Sequence, residues 1–184
     1  MGRGPLAGPV AVGAVVFPAK VTRDFLAARD SKQLSPAARG EWFEKIRAAK
    51  RAKILDFQVS FVSAAIIDRQ GIAAAIRLAL ARSLARLNLD PSQTLVLLDG
   101  SLRAPEHFLF QETIIGGDRS EPIISLASIA AKVLRDRRMV RLAREFPEYG
   151  FDIHKGYGTA THISALKKHG PSELHRLSFI TRLG

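Results

Sequence analysis

The 184 residues carry 28 lysines and arginines against 17 acids, a formal charge of +11, and include no cysteine, which excludes disulfides and thiolate metal sites. A hydrophobic share of 47% can bury the core of one domain, and the positive excess suits a polyanionic partner, either nucleic acid or an anionic membrane surface. No apolar run reaches the ~20 residues that span a bilayer and no signal-peptide core follows Met1, so a soluble, cytoplasmic protein is expected.

The chain opens on MGRGPLAGPV, where glycines would let the backbone approach a ligand closely, although a flexible leader is the plainer reading. Val10 to Phe17 then reads as a strand, and Thr22 to Leu34 as a polar connection. Ser35 offers an N-cap with Pro36 at the first helical position, and Trp42, Phe43 and Ile46 share a face, predicting a helix to about Ala52. Ile54 to Val62 alternates as a strand with Phe57, Val59 and Phe61 on one side. Asp68 is placed to cap the next helix, in which Ile72, Ile76, Ala79, Leu80, Ser83 and Leu87 keep helical spacing.

Thr94 to Gly100, TLVLLDG, predicts a strand buried on both faces of an α/β sheet. Ligand sites in such sheets lie beyond the carboxyl ends of strands, so Asp99 is either a functional carboxylate or a turn cap. After Pro105, the segment Glu112 to Asp118 again leads β-branched residues into glycine and then an aspartate. Two adjacent strand exits can bring two carboxylates to one divalent cation. From Ile124 to about Phe146 a helix is predicted with Leu126, Ile129, Ala130, Val133 and Val140 inside. Its other face carries Lys132, Arg135, Arg137, Arg138, Arg141 and Arg144, a solvated stripe or an anion-binding one. Thr159 can cap a further helix ending at His169-Gly170-Pro171, with a short final helix from Ser172.

Six segments in order, GRGPLAGPV, DSKQLS, LLDG, GGD followed by SLASIAAKVLRDRRM, YGFDIHKGYGT and GPSELHRLSF, resemble ribonuclease HII. The resemblance implies an α/β, RNase H-like fold: a five-stranded mixed sheet flanked by helices, with residues 1–146 as catalytic core and 147–184 as a C-terminal helical segment of one domain. It implies an endoribonuclease that uses Mn²⁺ or Mg²⁺ in two-metal hydrolysis at ribonucleotides, in RNA/DNA hybrids or embedded in duplex DNA; a monomer is expected because nothing in the sequence demands more. Asp99 would bridge the metals, and Asp118 would hold the metal near the nucleophile or orient the water. Asp136 is read as an ion-pair partner outside that set. Gly2, Arg3 and Gly4 match the backbone clamp on the ribose 2′-hydroxyl, a group that separates RNA from DNA. Tyr157 matches the aromatic that packs on the sugar, a core tyrosine being the alternative. Ser31, Lys32 and Lys155 join the substrate-binding set. His154, His162, His169 and His175 show no metal-ligand spacing and are read as structural or phosphate-facing. Ile66 stands where the family more often has an acid.

The family's opening Asp-Glu pair precedes the GRG at the end of its first strand, which in the implied order lies between the Val10 strand and the Asp99 strand. This chain begins at MGRG. The expectation is therefore a sequence truncated at its N-terminus, which in-frame translation of the upstream DNA would check. The alternative is a catalytically inactive, nucleic-acid-binding relative of the same fold.

Overall fold

The computed structural model describes residues 1–18, 23–28 and 34–181. β1 (Val10–Val16) pairs antiparallel with β2 (Asp56–Val62), from Val10 opposite Val62 to Val16 opposite Asp56. Between them α1 (Pro36–Arg51) starts where the sequence places it, with the Ser35 hydroxyl accepting the Ala38 N–H at 3.1 Å. α2 (Ala64–Ala85) covers one face of this pair, and its Ile76, Ala79, Leu80 and Leu84 join Val10, Val12 and Ala14 in a core. The opposite face packs on α1 and on α4 (Pro122–Glu145) through Phe43, Ile46, Leu126, Ile129 and Val133. β1 approaches α4 so closely that a Cβ on Gly13 would lie 2.3 Å from the Ala127 carbonyl oxygen. Only glycine leaves room for that approach.

β3 (Val96–Asp99) pairs in parallel with β4 (Gln111–Ile114), and α3 (Gly117–Ser120) leads from β4 into α4. α5 (Phe151–His154), α6 (Ala160–His169) and α7 (Leu177–Ile180) follow, and α6 is capped by the Thr159 hydroxyl on the His162 N–H at 3.3 Å. Among the described residues no helix is long and apolar enough to cross a membrane.

Among the described residues, two two-stranded sheets, β1-β2 and β3-β4, stand in place of one five-stranded sheet. A cavity of about 880 Å³ lies between them, lined by the lengths of β1 and β3 and by Leu80 and Leu84 of α2 and Ile124 of α4. Strand alternation turns the N–H groups of Gly13, Val15, Leu97 and Asp99 toward this slot, since Val96 and Gly100 donate on the other side, to the carbonyls of Phe110 just ahead of β4 and of Ile114 at its end. Met1 sits at its end, where its amino group donates to the Ala11 carbonyl at 2.6 Å and its carbonyl accepts the Ala11 N–H at 3.0 Å. Those two bonds form one rung of an antiparallel ladder on the slot side of β1. The expected burial on both faces is not met here: Leu95, just ahead of β3, is 61% exposed and Leu97 half-buried, and both line the slot.

Three local expectations change in the tertiary setting. α2 begins at Ala64 rather than after Asp68, and its backbone breaks at Gly71. Asp68 instead caps α7, accepting the N–H groups of Leu177 at 2.9 Å and Ser178 at 3.0 Å and the Ser178 hydroxyl at 2.5 Å; against the opposing effect of burial these bonds, the hydroxyl's foremost, hold its carboxyl below the usual range. On α4 two positions exchange their expected sides, with Arg135 fully buried and Val140 exposed, while Leu126, Ile129, Ala130 and Val133 lie inside as expected. The second half of α4 turns Ala131, Arg135 and Met139 toward the N-terminal loop, whose carbonyls favour a guanidinium over a hydrocarbon there.

Candidate active site

The parallel register places Asp99 opposite Ile114, and the Gly100 N–H extends the ladder by one bond to the Ile114 carbonyl at 3.0 Å. Both strands therefore end side by side. Gly116 takes a left-handed conformation, which turns the chain into α3 and sets Asp118 in its first turn, 6% exposed. The Ser125 hydroxyl donates to the Asp118 carbonyl at 2.8 Å, securing the main chain of that turn to α4. Asp99 and Asp118 line the same cavity, and so do Gly2, Arg3, Gly4 and Tyr157.

Two carboxylates at neighbouring strand exits are the hard oxygen donors that a divalent cation of the Mg²⁺ type prefers. Among the described residues no group of three or more Asp, Glu, His or Cys is arranged to hold a metal ion. The donor set fits such a cation in kind and supplies part of a coordination sphere, with water and substrate oxygens able to take further positions. Asp136 is occupied elsewhere, ion-paired to Lys132 at 2.9 Å one turn back on α4.

The remaining expected residues divide by position. Tyr157 is 44% exposed, which rules out the core-tyrosine alternative. Lys155 does not line the cleft, because its ammonium folds back on the Asp152 carbonyl while its own carbonyl accepts from Arg135 at 3.1 Å. Ser31 and Lys32 lie outside the described residues. Ile66 packs partly buried against the α2 core.

Sequence reasoning missed what seats Tyr157. The Ser172 N–H can only donate, so at 2.9 Å it makes the His175 Nδ1 an acceptor and leaves the proton on Nε2. His175 Nε2 then donates to His162 Nε2 at 3.1 Å, and His162 Nδ1 donates to the Tyr157 carbonyl at 2.9 Å. The His154 ring stacks on that of His162 with centroids 4.4 Å apart. The three histidines are buried and face one another and the main chain, whereas His169 sits edge-on to Tyr149 at 6.3 Å. Burial, reinforced by His162, pushes the His175 imidazole down to about 4, and burial lowers His162 as well.

An unfolded histidine binds its proton near pH 6.5, so between that value and about 4 the unfolded state holds more protons and stability falls as pH falls. The melting temperature is expected to drop on the order of 5 °C between pH 7 and 4.5 from this cluster. Calorimetry on the wild type and on His175→Asn checks it: the variant should be less stable at pH 7 and show a shallower acid loss. Equal slopes would remove the cluster as the cause.

A family model described as Ribonuclease HII matches residues 1–182. The ribonuclease HII of Endomicrobium trichonymphae is 44% identical over 178 residues, covering 97% of this chain and 81% of that protein. That of Burkholderia pseudomallei (strain 1710b) is 46% identical over 178 residues, covering 97% of this chain and 79% of its own. A chain of the PCNA:RNase HII complex from Archaeoglobus fulgidus superposes with a TM-score of 0.74 at 26% identity, covering 96% of this chain and 90% of that one. The chain belongs to the ribonuclease HII family and is an endoribonuclease of the ribonuclease H type.

Proposed function

We propose that the cleft between the two sheets hydrolyses the phosphodiester at a ribonucleotide, in an RNA/DNA hybrid or embedded singly in duplex DNA, with Asp99 and Asp118 holding Mn²⁺ or Mg²⁺. The observation that supports this most is the convergence of Gly2, Arg3, Gly4, Asp99, Asp118 and Tyr157, from four separate stretches of sequence, on one cavity. Two-metal chemistry supplies an activated water and a stabilised leaving oxygen, which a singly charged diester otherwise lacks. The protein's part is to anchor and orient. The carboxylates fix where the scissile phosphate sits, and the exposed Tyr157 ring offers a flat apolar surface to the sugar. The main chain of Gly2 to Gly4 meets the 2′-hydroxyl, a contact that side chains would obstruct.

The outward face of α4, with Arg138, Arg141 and Arg144 exposed, supplies phosphate contacts that position a duplex without reading its bases. Affinity should accordingly fall steeply with added salt. We place the protein, as a monomer, in the cytoplasm, a reducing compartment that its cysteine-free sequence permits.

The test is a cleavage assay on a duplex carrying one ribonucleotide. It compares this 184-residue chain with one bearing an added N-terminal strand that ends in Asp-Glu. The expected result is cutting only at the ribonucleotide, dependent on Mn²⁺ or Mg²⁺ and abolished by chelation. Cutting that ignores the ribonucleotide, or no cutting by either chain, would end the proposal.

A further inference from the structure

Arg176 is fully buried, yet among the described residues no carboxylate bonds its guanidinium. Its partners are main-chain carbonyls of the N-terminal loop. Nε donates to Gly8 at 3.0 Å, one terminal nitrogen to Arg3 at 3.0 Å, and the other to Gly2 at 2.9 Å and Gly8 at 2.8 Å. The segment carrying it is joined to the same loop by the Arg176 N–H on the Leu6 carbonyl at 2.8 Å and by a bridge between Ala7 and His175. Arg135 adds a second buried guanidinium, donating to Pro9 at 2.9 Å and Ala7 at 3.3 Å, and packs so tightly that a Cβ on Gly2 would lie 2.2 Å from its Nε.

Desolvating a guanidinium costs several kcal/mol, and a hydrocarbon could fill the same space without that cost. Burial, with Arg135 adjacent, pulls the Arg176 group down to about 10, so it is still charged at neutral pH. What a hydrocarbon could not do is hold three carbonyls in a set direction, and a lysine could not span them with one ammonium.

That direction has a consequence at the cleft. In a trans peptide the C=O and the following N–H point opposite ways, and this chain has no cis peptide bond among the described residues. With the Gly2 and Arg3 carbonyls aimed inward at Arg176, the N–H groups of Arg3 and Gly4 aim outward. Arg3 and Gly4 are exposed and line the cavity, and no hydrogen bond within the described residues uses either N–H. We infer that Arg176 is a positioning residue for ribose recognition, presenting the Arg3 and Gly4 N–H groups as a pair of preset donors to the 2′-hydroxyl oxygen and its adjoining phosphate. The inference rests on the ribonucleotide-directed reading above.

The experiment compares the affinity of the full chain for a duplex with one ribonucleotide and for the same sequence in all-DNA form, with Ca²⁺ as the cation. Wild type, Arg176→Lys and Asp68→Asn are measured, and folding is followed by circular dichroism. Asp68→Asn loosens α7 directly beside Arg176 and serves as the purely structural comparison. The expected result is a wild-type preference for the ribonucleotide of tenfold or more, reduced at least fivefold in Arg176→Lys and retained in Asp68→Asn despite a lower melting temperature. A folded Arg176→Lys with the wild-type ratio, or an equal loss in Asp68→Asn, would overturn the inference.

A wild-type ratio of one would remove the functional reading itself, and the inference with it. Should Arg176→Lys not fold, amide spectra of the wild type decide. The Arg3 and Gly4 amides should shift with the ribonucleotide duplex and not with its DNA counterpart, and identical shifts with both would refute the role.

Discussion

Replacing Asp118 by asparagine is expected to lower metal-dependent cleavage on the order of 10³-fold, with the fold retained. Asparagine keeps the size of the side chain and one oxygen, so the packing of this nearly buried position against α4 is preserved. It removes the charge, and a neutral amide is a poor ligand for a hard dication. A bound metal ion contributes several kcal/mol of transition-state stabilisation, and each 1.36 kcal/mol is tenfold in rate, so a loss of about 4 kcal/mol gives the stated factor. Asp99→Asn should behave alike. Because both acids serve one centre, the double variant should be scarcely worse than either single one. Single-turnover kinetics, with calorimetric titration of Mn²⁺ into each variant, measures both effects. Cleavage within tenfold of wild type in Asp118→Asn, or fully multiplicative losses in the double variant, would show that the two aspartates do not share a cation.

The second large effect concerns the slot. A strand ending in Asp-Glu, added ahead of Met1, is expected to raise the melting temperature by about 10 °C and turnover by about 10² or more. Met1 already exchanges two main-chain bonds with Ala11, so residues placed before it would run antiparallel to β1. In that register they meet the slot-facing N–H groups of Gly13 and Val15 on one side and of Leu97 and Asp99 on the other. A polar main-chain group buried without a partner costs roughly 1–3 kcal/mol, so even a few new bonds amount to several kcal/mol. In a chain of this length each kcal/mol moves the melting temperature by about 2–4 °C. The new acids would end beside Gly2, on the cavity that Asp99 and Asp118 line, and complete a four-carboxylate centre. Calorimetry and amide hydrogen exchange check the strand, since the Leu97 amide should become protected. An unchanged melting temperature with Leu97 still exchanging would mean that the slot does not take a strand.

Most individual elements were legible before any coordinates. Ser35-Pro36 and Thr159 announce helix starts because capping is chemistry between residues three apart. The LLDG and IIGGD stretches announce strand exits because apolar runs stop where glycine permits a turn, and the pairing of β3 with β4 needed only that the two be consecutive. The GRG loop, both aspartates and Tyr157, which line one cavity, stand in contiguous motifs that carry the family resemblance. Lys155 reads as a cleft residue because it adjoins Tyr157, but its left-handed backbone turns the side chain back toward Asp152.

The residues that hold these motifs in place were not legible. Arg135 fell on the solvent side of a helical wheel because the wheel counts arginine as polar, and nothing local says that the surface opposite it is a loop of carbonyls from residues 7 to 9. Arg176 and Asp68 are similar: each bonds chiefly to main-chain groups more than a hundred positions away, and a main-chain group has no residue-specific signature in the sequence. Local order, and the placing of Asp99 and Asp118 at neighbouring strand exits, thus followed from side-chain chemistry along the chain. The slot between the two sheets, the inward carbonyls of the GRG loop and the proton order of the histidines came from the folded arrangement, because hydrogen-bond direction is a property of backbone geometry.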